Sequence, residues 1–295
     1  MKEIKPFKTI DEQIDILLDR GLAIDDREKA RRFLSDNNYY RISGYSLTLR
    51  KDNTFYTGTS IDNIIDIYRF DAKLRTLIFA LLEEIEITVR THIGYHYGKD
   101  HGPLGYLNKN NFFPKRRHEG FLAACKKAIE HNGAEAFVKH HIDEYGGKLP
   151  IWVLVETFSF GTLSKLFSAL PFQVQKQIRK HHYPNVPKSE FIASWLHSLT
   201  VLRNVCAHRG RLYNRKLAIP IPFMKEDRIV LDNQDYPVVE AAQSLFGYLL
   251  CMRRLITDKH SWKSLIDGIQ LISMEHPFVL LTHYGFPDNW KAILE

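Results

Sequence analysis

Arginine, asparagine and histidine side chains are concentrated in one short stretch, residues 202–215, with the sequence LRNVCAHRGRLYNR. The stretch follows an apolar run that predicts a buried helix, so these polar groups gather where a helix ends. Arg203 offers a fork of N–H donors that suits a phosphate or its pentavalent transition state. His208 supplies an imidazole, whose charge changes near neutral pH as proton transfer requires. The pattern predicts a phosphodiester site, with a solvated helix end as the alternative.

Helical spacing determines how these polar residues can act together. The helix that carries them has a stripe of apolar residues that predicts its buried face: Ile192, Trp195, Leu199, Leu202 and Cys206. Asn204 and His208 are four residues apart and therefore share a face. Arg203 precedes His208 by five residues, about 140° around the axis and ~7.5 Å along it, so its long side chain can reach the same phosphate. The helix dipole favours the imidazolium of His208 whereas nearby arginines oppose it, which leaves its resting charge open.

The elements that must position these residues are mostly helical. Residues 60–98 carry apolar side chains every three or four positions, which predicts one long amphipathic helix. We expect a mostly α protein that is a helical bundle with small N- and C-terminal additions. The predicted division is an N-terminal helical and extended segment over 1–59, a main helical domain over 60–260 and a C-terminal tail over 261–295 that packs on it.

Several element boundaries also follow from the sequence. Residues 38–59 are aromatic and β-branched with turn residues, which indicates an extended or hairpin-like segment. We expect a loop over 99–119, a polar stretch near 141–150 and an apolar helix over 151–170 interrupted near Gly161. The motif helix is expected to be capped by Ser189 and stopped by Gly210. A short, extended segment around 217–232 should precede a helix over about 237–258.

Composition limits the class of protein. The chain has 295 residues, and its 41 lysines and arginines exceed its 34 aspartates and glutamates, which gives a net charge of +7. This balance suits a polyanionic partner without establishing one. The three cysteines are far apart and form no metal clip, so we interpret them as reduced core thiols of a cytoplasmic protein. The start of the chain lacks the apolar region of a secretion signal, and eighteen uninterrupted apolar residues occur nowhere, so no membrane is expected as a partner.

The stretch around Arg203 resembles a known superfamily. RNVCAH matches the arginine, polar residue, three more residues and histidine of the HEPN ribonucleases, and SWLHSLTVLRNVCAHRGRLYNR resembles bacterial abortive-infection proteins of the AbiD/AbiF type. Further blocks resemble the same family in the same order: NNYYRISGYSLTLR, LLEEIEITVRTHI, LPIWVLVETFSFGTLSKLF and HYGFPDNW. Together these blocks span most of the chain.

The resemblance implies a HEPN-like helical bundle whose motif helices meet across a homodimer. It implies RNA cleavage without a metal or other cofactor, in which the 2′-OH attacks its own phosphate. His208 would then move protons, Arg203 would stabilise the phosphorane charge, and Asn204 would orient His208 or the phosphate. Glu86, on a neighbouring helix, would lie near the motif, although pairing with Arg90 four residues on is an equally good explanation.

Other residues form weaker candidates for binding. Tyr39, Tyr40 and Arg41 can stack on bases and hold a phosphate, or the tyrosines can plug the helix bundle. Three arginines after the motif are candidates for RNA contacts: Arg209, Arg211 and Arg215.

Metal and acid sites are less favoured. His92 and His96 have the spacing of a zinc pair, but the glutamate of HExxH and a third ligand are missing, so no metal site is predicted. Glu156, inside an apolar helix, is expected to hold an arginine, such as one from the motif helix.

Three functions remain open at this point. The first is an RNA endonuclease of phage defence, and the second is a non-catalytic RNA-binding protein of the same fold that holds a small structured RNA. The third is a structural or partner-binding helical protein. The RNA target, its sequence preference, the trigger and the need for a companion RNA or antitoxin do not follow from the sequence.

Overall fold

The computed structural model describes residues 4–295 and is mostly α-helical, as predicted. The helices before the motif are α1 Ile10–Asp19, α2 Arg27–Asp36, α3 Tyr39–Tyr45, α4 Ile61–His101, α5 Arg117–His131, α6 Ala136–Tyr145, α7 Ile151–Leu154, α8 Phe160–Ala169 and α9 Phe172–His182. The motif helix and those after it are α10 Ser189–Ala207, α11 Lys225–Asp232, α12 Val238–Ala241, α13 Leu245–Met252, α14 Lys259–Glu275 and α15 Trp290–Leu294.

The long helix α4 is the central element of the fold. It has 41 residues, so it is about 60 Å long, and the amphipathic helix predicted from the sequence is confirmed. Ser60 and Asn63 form a capping box at its start, and Gly102 follows its end with a φ of 74°. Helices α3, α7, α8, α9, α10 and α14 all pack against α4. Any side chain on α4 is therefore held on a rigid support.

The motif helix α10 packs between α4 and α8 and also contacts α9 and α13. Trp195 is fully buried, and its indole N–H donates to the carbonyl of Pro222 at 2.7 Å. The helix begins at Ser189 with Lys188 as its N-cap residue, so the prediction that Ser189 caps it is wrong by one position. Because α10 is buried along one whole face, its C-terminal end is fixed relative to α4.

The segment after α2 differs from the extended structure that was predicted. Residues 39–45 form the helix α3, because the Asn38 side chain accepts the N–H of Tyr40 and starts a helical turn. Only β1 Arg50–Lys51 and β2 Thr54–Phe55 form a hairpin, with Asp52 and Asn53 at positive φ in the turn. The extended prediction thus holds for the hairpin alone.

Other boundaries needed correction. Helix α4 extends to His101, and α6 occupies much of the predicted polar stretch. The apolar helix of 151–170 is broken at Phe158 and Ser159, because Ser159 caps a new helix at Thr162 N–H, whereas Gly161 lies inside α8. The predicted helix over 237–258 is two short helices, α12 and α13, and part of the predicted extended segment is α11.

The C-terminal region is also helical. Helix α14 begins at Lys259 and packs on α4, where a Cβ at Gly268 would lie 3.0 Å from the Leu77 side chain. The three-part division of the chain stays a prediction. Among residues 4–295, every helix is too short or too polar to cross a membrane.

Candidate active site

Helix α10 presents two faces with different chemistry. Its buried face is the predicted stripe, whose members are all at most 6% exposed. On the opposite side His197, Asn204 and His208 are exposed. Asn204 and His208 therefore share an accessible face at the end of α10, as the spacing predicted.

Arg203 lies between these two faces and contacts α4. Its side chain is 29% exposed, and its Nε lies 3.4 Å from Oε2 of Glu86. Its guanidinium carbon is 5.8 Å from the centroid of the Phe79 ring, within cation–π range. The Nε is buried without a hydrogen-bond partner among the described residues, because the contact with Glu86 is a close charge pair rather than an aligned hydrogen bond. Arg203 is thus held in place by Glu86 and Phe79, while part of its side chain stays exposed.

Glu86 joins Arg203 to a second arginine on α4. Its Oε1 accepts from Nη2 of Arg90 at 3.2 Å, and the same Nη2 donates to the carbonyl of Phe158 at 3.0 Å. Glu86 is only 9% exposed, and a carboxylate at that depth is stabilised by two cationic partners. The structure therefore brings both Glu86 and Arg90 to the motif, with Glu86 touching Arg203 directly.

Glu156 is placed differently from the prediction. It lies in a short 3₁₀ turn, Val155–Thr157, and its side chain is 49% exposed because the turn directs it outward. Its partner is Arg90 at 3.3 Å rather than an arginine of the motif helix. The expectation that Glu156 holds an arginine is confirmed, whereas its placement inside an apolar helix and the motif helix as the source of that arginine were wrong.

His208 is the C-cap residue of α10. Its backbone N–H donates to the carbonyl of Asn204 at 3.0 Å, the last hydrogen bond of the helix, and both side chains are exposed. Arg203 is engaged with Glu86, and its predicted reach toward the imidazole is not made in this conformation. The residues of the motif are therefore close along one helix end but are not gathered around one point.

The chain leaves α10 through a left-handed residue. Arg209 has a φ of 53°, and the N–H of Gly210 donates to the carbonyl of Val205 at 2.7 Å. The helix thus ends before Gly210, which corrects the predicted stop. Gly210 is needed for close approach, because a Cβ there would lie 3.2 Å from the Val205 carbonyl oxygen.

Asp71, a buried acid of α4, anchors the segment that follows the motif. Its carboxylate accepts the backbone N–H groups of Leu212 at 3.1 Å and Tyr213 at 2.8 Å. It also accepts the hydroxyls of Tyr45 at 2.8 Å and Tyr284 at 3.2 Å. Five donors, counting Arg75 beside it, converge on one fully buried carboxylate, so the path of the chain after α10 is fixed by α4.

Burial and charge act in opposite directions at this anchor. Burial raises the pKa of Asp71 above its usual value, whereas Arg75, Tyr45 and the backbone donors lower it. Burial and the nearby Asp71 charge raise the pKa of Tyr45, so its hydroxyl remains a donor. Sequence analysis missed Asp71, although its position among the buried residues of α4 and the arginine four positions later were signals for it.

The arginines around the motif have different environments. The Arg211 guanidinium is partly buried and donates to the carbonyls of Tyr213 and Asn214, so it closes the loop onto itself. Arg209 and Arg215 are exposed, and Arg215 donates to the Arg211 carbonyl at 3.3 Å. Arg41 donates to the carbonyl of Arg209 at 2.5 Å and so joins α3 to the end of α10.

A basic groove of about 510 Å³ lies beside the end of the motif helix. Its lining consists of Arg41, Tyr68, Ala72, Arg75, Thr76, Phe79, Cys206, Ala207 and Arg209. The Arg41 guanidinium lies 5.6 Å from the centroid of Tyr68, and Phe79 is the ring on which Arg203 stacks. The groove thus adjoins the motif through Phe79 and α10, and three arginines face it. The sequence placed Arg41 and Arg209 among the candidates, whereas Arg75 was missed although it lies four residues after Asp71.

Comparison with known families assigns the chain. The model of the family described as Abi-like protein matches residues 32–214, more than half of the sequence. The chain belongs to the Abi-like protein family. Searches of curated proteins and of solved structures gave no match.

The Abi-like match covers most of the site. It includes Arg41, Asp71, Glu86 and the motif, so the anchor and the motif lie in the same family region. It ends before Arg215 and before Tyr284, whose hydroxyl reaches Asp71 from the C-terminal region. The part of the chain after residue 214 therefore completes a network whose centre lies within the family region.

Tyr39 and Tyr40, the two tyrosines predicted to contact RNA, differ in exposure. Tyr40 is 72% exposed, whereas the Tyr39 hydroxyl accepts a hydrogen bond from Arg20 at 3.0 Å and packs against the core. Each tyrosine therefore fits one of the two alternatives. Tyr40 is accessible for base stacking, whereas Tyr39 packs on the core and is hydrogen-bonded to the end of α1.

The histidines of α4 join a cluster with α9. The rings of His92 and His182 are stacked with centroids 3.4 Å apart, and Nε2 of His96 lies 2.9 Å from Nε2 of His182. Burial, with the neighbouring histidines, lowers the pKa of His92 to about 3 and also lowers those of His96 and His182. Within the described part of the chain, groups of three or more potential ligands with metal-binding geometry are absent.

The cysteines are buried free thiols, in agreement with the interpretation from the sequence. Burial raises the pKa values of Cys125 and Cys206 to about 12. A thiol with so high a pKa is a poor nucleophile. Cys206, although it lies in the motif, therefore contributes packing rather than chemistry.

Proposed function

We propose that this Abi-like protein is a metal-independent RNA endonuclease of phage defence that belongs to the HEPN superfamily and the AbiD/AbiF type. The observation that carries the proposal is that an exposed His208 and an Arg203 held by Glu86 lie at the same helix end. An arginine-lined groove lies beside that helix end. The family assignment and the resemblance of RNVCAH to the HEPN motif support it.

The proposed reaction is transesterification within the RNA strand. The 2′-OH oxygen bonds to the adjacent phosphorus, the bond from phosphorus to the 5′-oxygen breaks, and the products carry a 2′,3′-cyclic phosphate and a 5′-OH. One proton leaves the 2′-OH and one joins the leaving oxygen, which is general acid–base work suited to His208. Arg203 neutralises the charge of the phosphorane, and Asn204 orients the phosphate.

A homodimer is part of the proposal, because the reaction has two proton transfers and each chain supplies one motif histidine. A composite site with two copies of His208 would provide both a base and an acid. The exposed face of α10, with His197, Asn204 and His208, leaves that helix end free to meet a second copy.

The basic groove would hold the RNA backbone next to the site. Arg41 and Arg209 face it, and Arg215 extends the positive surface. Arg211 is a weaker candidate for this role, since its Nη1 already donates to the carbonyls of its own loop. Contacts of this kind are sequence-independent, because they recognise phosphate rather than bases.

The second candidate is a non-catalytic RNA-binding protein of the same fold that holds a small structured RNA. It is favoured by the resting geometry, in which Arg203 is paired with Glu86 rather than directed to the His208 imidazole. Under this alternative Arg203 and His208 grip a phosphate without cleaving it.

The test is incubation of the purified protein with end-labelled RNA in EDTA. The proposal predicts products with 2′,3′-cyclic phosphate ends, and loss of those products in His208→Ala. His260→Ala is the matched control, since His260 is an exposed histidine of α14, outside the motif and away from the exposed face of α10. RNA that is retained but uncut by the wild-type protein would favour the RNA-binding alternative.

A further inference from the structure

A second groove, of about 430 Å³, lies on the other side of the Glu86–Arg90 pair. Its lining is Arg90, Thr91, Gly94, Tyr95, Gly98, Lys99, Trp152, Val155 and Glu156. Trp152 is 50% exposed and Tyr95 is 62% exposed, which is unusual for two large aromatic side chains that flank one groove. None of the motif residues lines this groove, so it is distinct from the proposed cleavage site.

Two glycines of α4 form the surface on which Trp152 rests. A Cβ at Gly94 would lie 3.1 Å from Cα of Trp152, and a Cβ at Gly98 would lie 3.0 Å from Cε3 of its indole. Any larger residue at these positions would displace the ring. The absence of both side chains lets the indole lie directly against the helix backbone, with its other face toward the groove.

The residues around Trp152 fix its position. Helix α7 starts at Ile151, whose N–H donates to the Pro103 carbonyl at 2.9 Å, just beyond the end of α4. The Leu149 carbonyl accepts the hydroxyl of Tyr106 at 2.8 Å. The segment before Trp152 is therefore bonded to the loop after α4, and Trp152 itself packs against Gly94 and Gly98, so the aromatic surface exists before a ligand arrives.

We propose that this groove binds an unpaired base of single-stranded RNA, stacked on Trp152 and Tyr95. Aromatic rings combined with cations are the usual way in which proteins hold single strands, because every base has a π-face. Lys99 provides a cation for a flanking phosphate, while the half-exposed Glu156 carboxylate offers an acceptor to a base edge. The paired Glu156 carboxylate makes the groove a poorer site for a phosphate itself.

The inference deepens the proposed function, on which it rests, because the groove is linked to the motif. Arg90 lines the groove and pairs with Glu86, and Glu86 contacts Arg203. A strand with its phosphate at Arg203 therefore has the groove as the next binding surface along α4. The net charge of +7 and the cations of the groove favour RNA over a second copy of this basic chain.

The experiment measures binding of a short 2′-O-methyl oligonucleotide, which lacks the attacking hydroxyl, by the full-length protein. Trp152→Ala should weaken binding by about 5- to 100-fold, the usual effect of losing one stacking aromatic, and Trp152→Phe should restore most of it. Tyr95→Ala is the second variant, because its exposed ring has little part in folding. Phe172→Ala, at an exposed aromatic of α9 outside the groove, is the matched control.

Two results would overturn the proposal. One is wild-type affinity in Tyr95→Ala together with wild-type affinity in a folded Trp152→Ala protein. The other is a change in the sedimentation coefficient of Trp152→Ala or Tyr95→Ala without a change in RNA affinity, which would assign the groove to a second copy. Since the oligonucleotide cannot be cleaved, binding that depends on Trp152 would stand even if the protein proved not to be a nuclease. Cleavage that depends on His208, together with wild-type RNA affinity in both groove variants, would refute the groove and leave the proposed nuclease in place.

Discussion

Two consecutive segments of the molecule, residues 203–208 and 209–215, use similar residue types in opposite ways. In the first, Asn204 and His208 are exposed and Arg203 has a buried Nε without a hydrogen-bond partner among the described residues. In the second, backbone N–H groups are bound by Asp71, and Arg211 is engaged with carbonyls of its own loop. The first segment leaves the side chains of Asn204 and His208 exposed for a ligand, whereas the second uses its backbone N–H groups and Arg211 to hold the chain and leaves Arg209 and Arg215 exposed.

The difference shows how a reactive helix end can be held rigid. The exposed side chains of α10 contribute little to packing. The position of the helix end therefore depends on the buried stripe of α10 and on Asp71, which binds the segment after the helix. Residue spacing does not show that Arg203 faces a possible ligand while Arg211 closes its own loop. That difference depends on contacts with α4, which lies more than a hundred residues earlier in the chain. The two segments should therefore respond differently to substitution.

The largest expected effect is at the anchor. Asp71→Asn removes the charge that faces the 6% exposed Arg75 and places an amide among five donors. Leaving a buried charge unpaired costs about 3–5 kcal/mol, so the free energy of unfolding should fall by that amount. Urea denaturation monitored by circular dichroism measures it.

Asp62→Asn is the control, since Asp62 lies on the same helix in an exposed pair with Lys29. Exposed ion pairs contribute about 0–1 kcal/mol, so this variant should remain close to the wild type. Equal losses in the two variants would contradict the role of Asp71 as an anchor.

The next effect is on the pH dependence of the free energy of unfolding, which we expect to come from the buried histidines. His92, His96 and His182 have lowered pKa values in the folded protein, so the unfolded chain binds protons that the folded chain does not. Their contribution to stability is present above about pH 6.5 and is lost as the pH falls toward the folded pKa values. The slope should reach up to about 1.4 kcal/mol per pH unit for each histidine that titrates only on unfolding.

Denaturation at several values between about pH 7 and pH 5, where histidines titrate, tests this expectation. His92→Phe keeps a ring against His182 and should flatten the dependence. His208→Ala removes an exposed histidine and should leave it unchanged. A flattened profile in His208→Ala, or a wild-type profile in His92→Phe, would show that the cluster between α4 and α9 is not the source.

The smallest effect concerns the basic groove. Arg41→Gln should lower RNA affinity at moderate salt and reduce the slope of log affinity against log salt concentration by about one, as loss of one phosphate contact does. Fluorescence anisotropy over a salt series measures the slope. Lys263→Gln, at an exposed lysine of α14 outside the groove, should leave it unchanged. Identical slopes for Arg41→Gln and the wild type would remove Arg41 from the RNA-binding surface.

The sequence predicted the parts of the fold that depend on local periodicity. The long helix α4 and the buried stripe of α10 are confirmed, because each depends on residues within one or two turns. Glu86 lies beside Arg203, as the resemblance implied, and it also pairs with Arg90 four residues on, as the alternative implied.

The errors arose where contacts are distant or caps are weak. Residues 39–45 have β-branched and aromatic side chains, yet the Asn38 cap and packing on α4 make them helical. The roles of Asp71 and Arg75 depend on partners from α3, the loop after α10 and the C-terminal region. The Trp152 groove depends on glycines of a different helix. Spacing within one segment carries no information about such pairings.

The most direct test of the central claim is the cleavage rate in EDTA of Arg203→Ala, His208→Ala and the double variant, each confirmed as folded. If the two residues act on one phosphate, each single change lowers the rate by roughly 10²- to 10⁴-fold. The double variant should then be little slower than either single variant, because residues that act as a unit are not additive. A folded His208→Ala protein that cleaves at the wild-type rate, or a double variant whose loss is the product of the two single losses, would contradict the account.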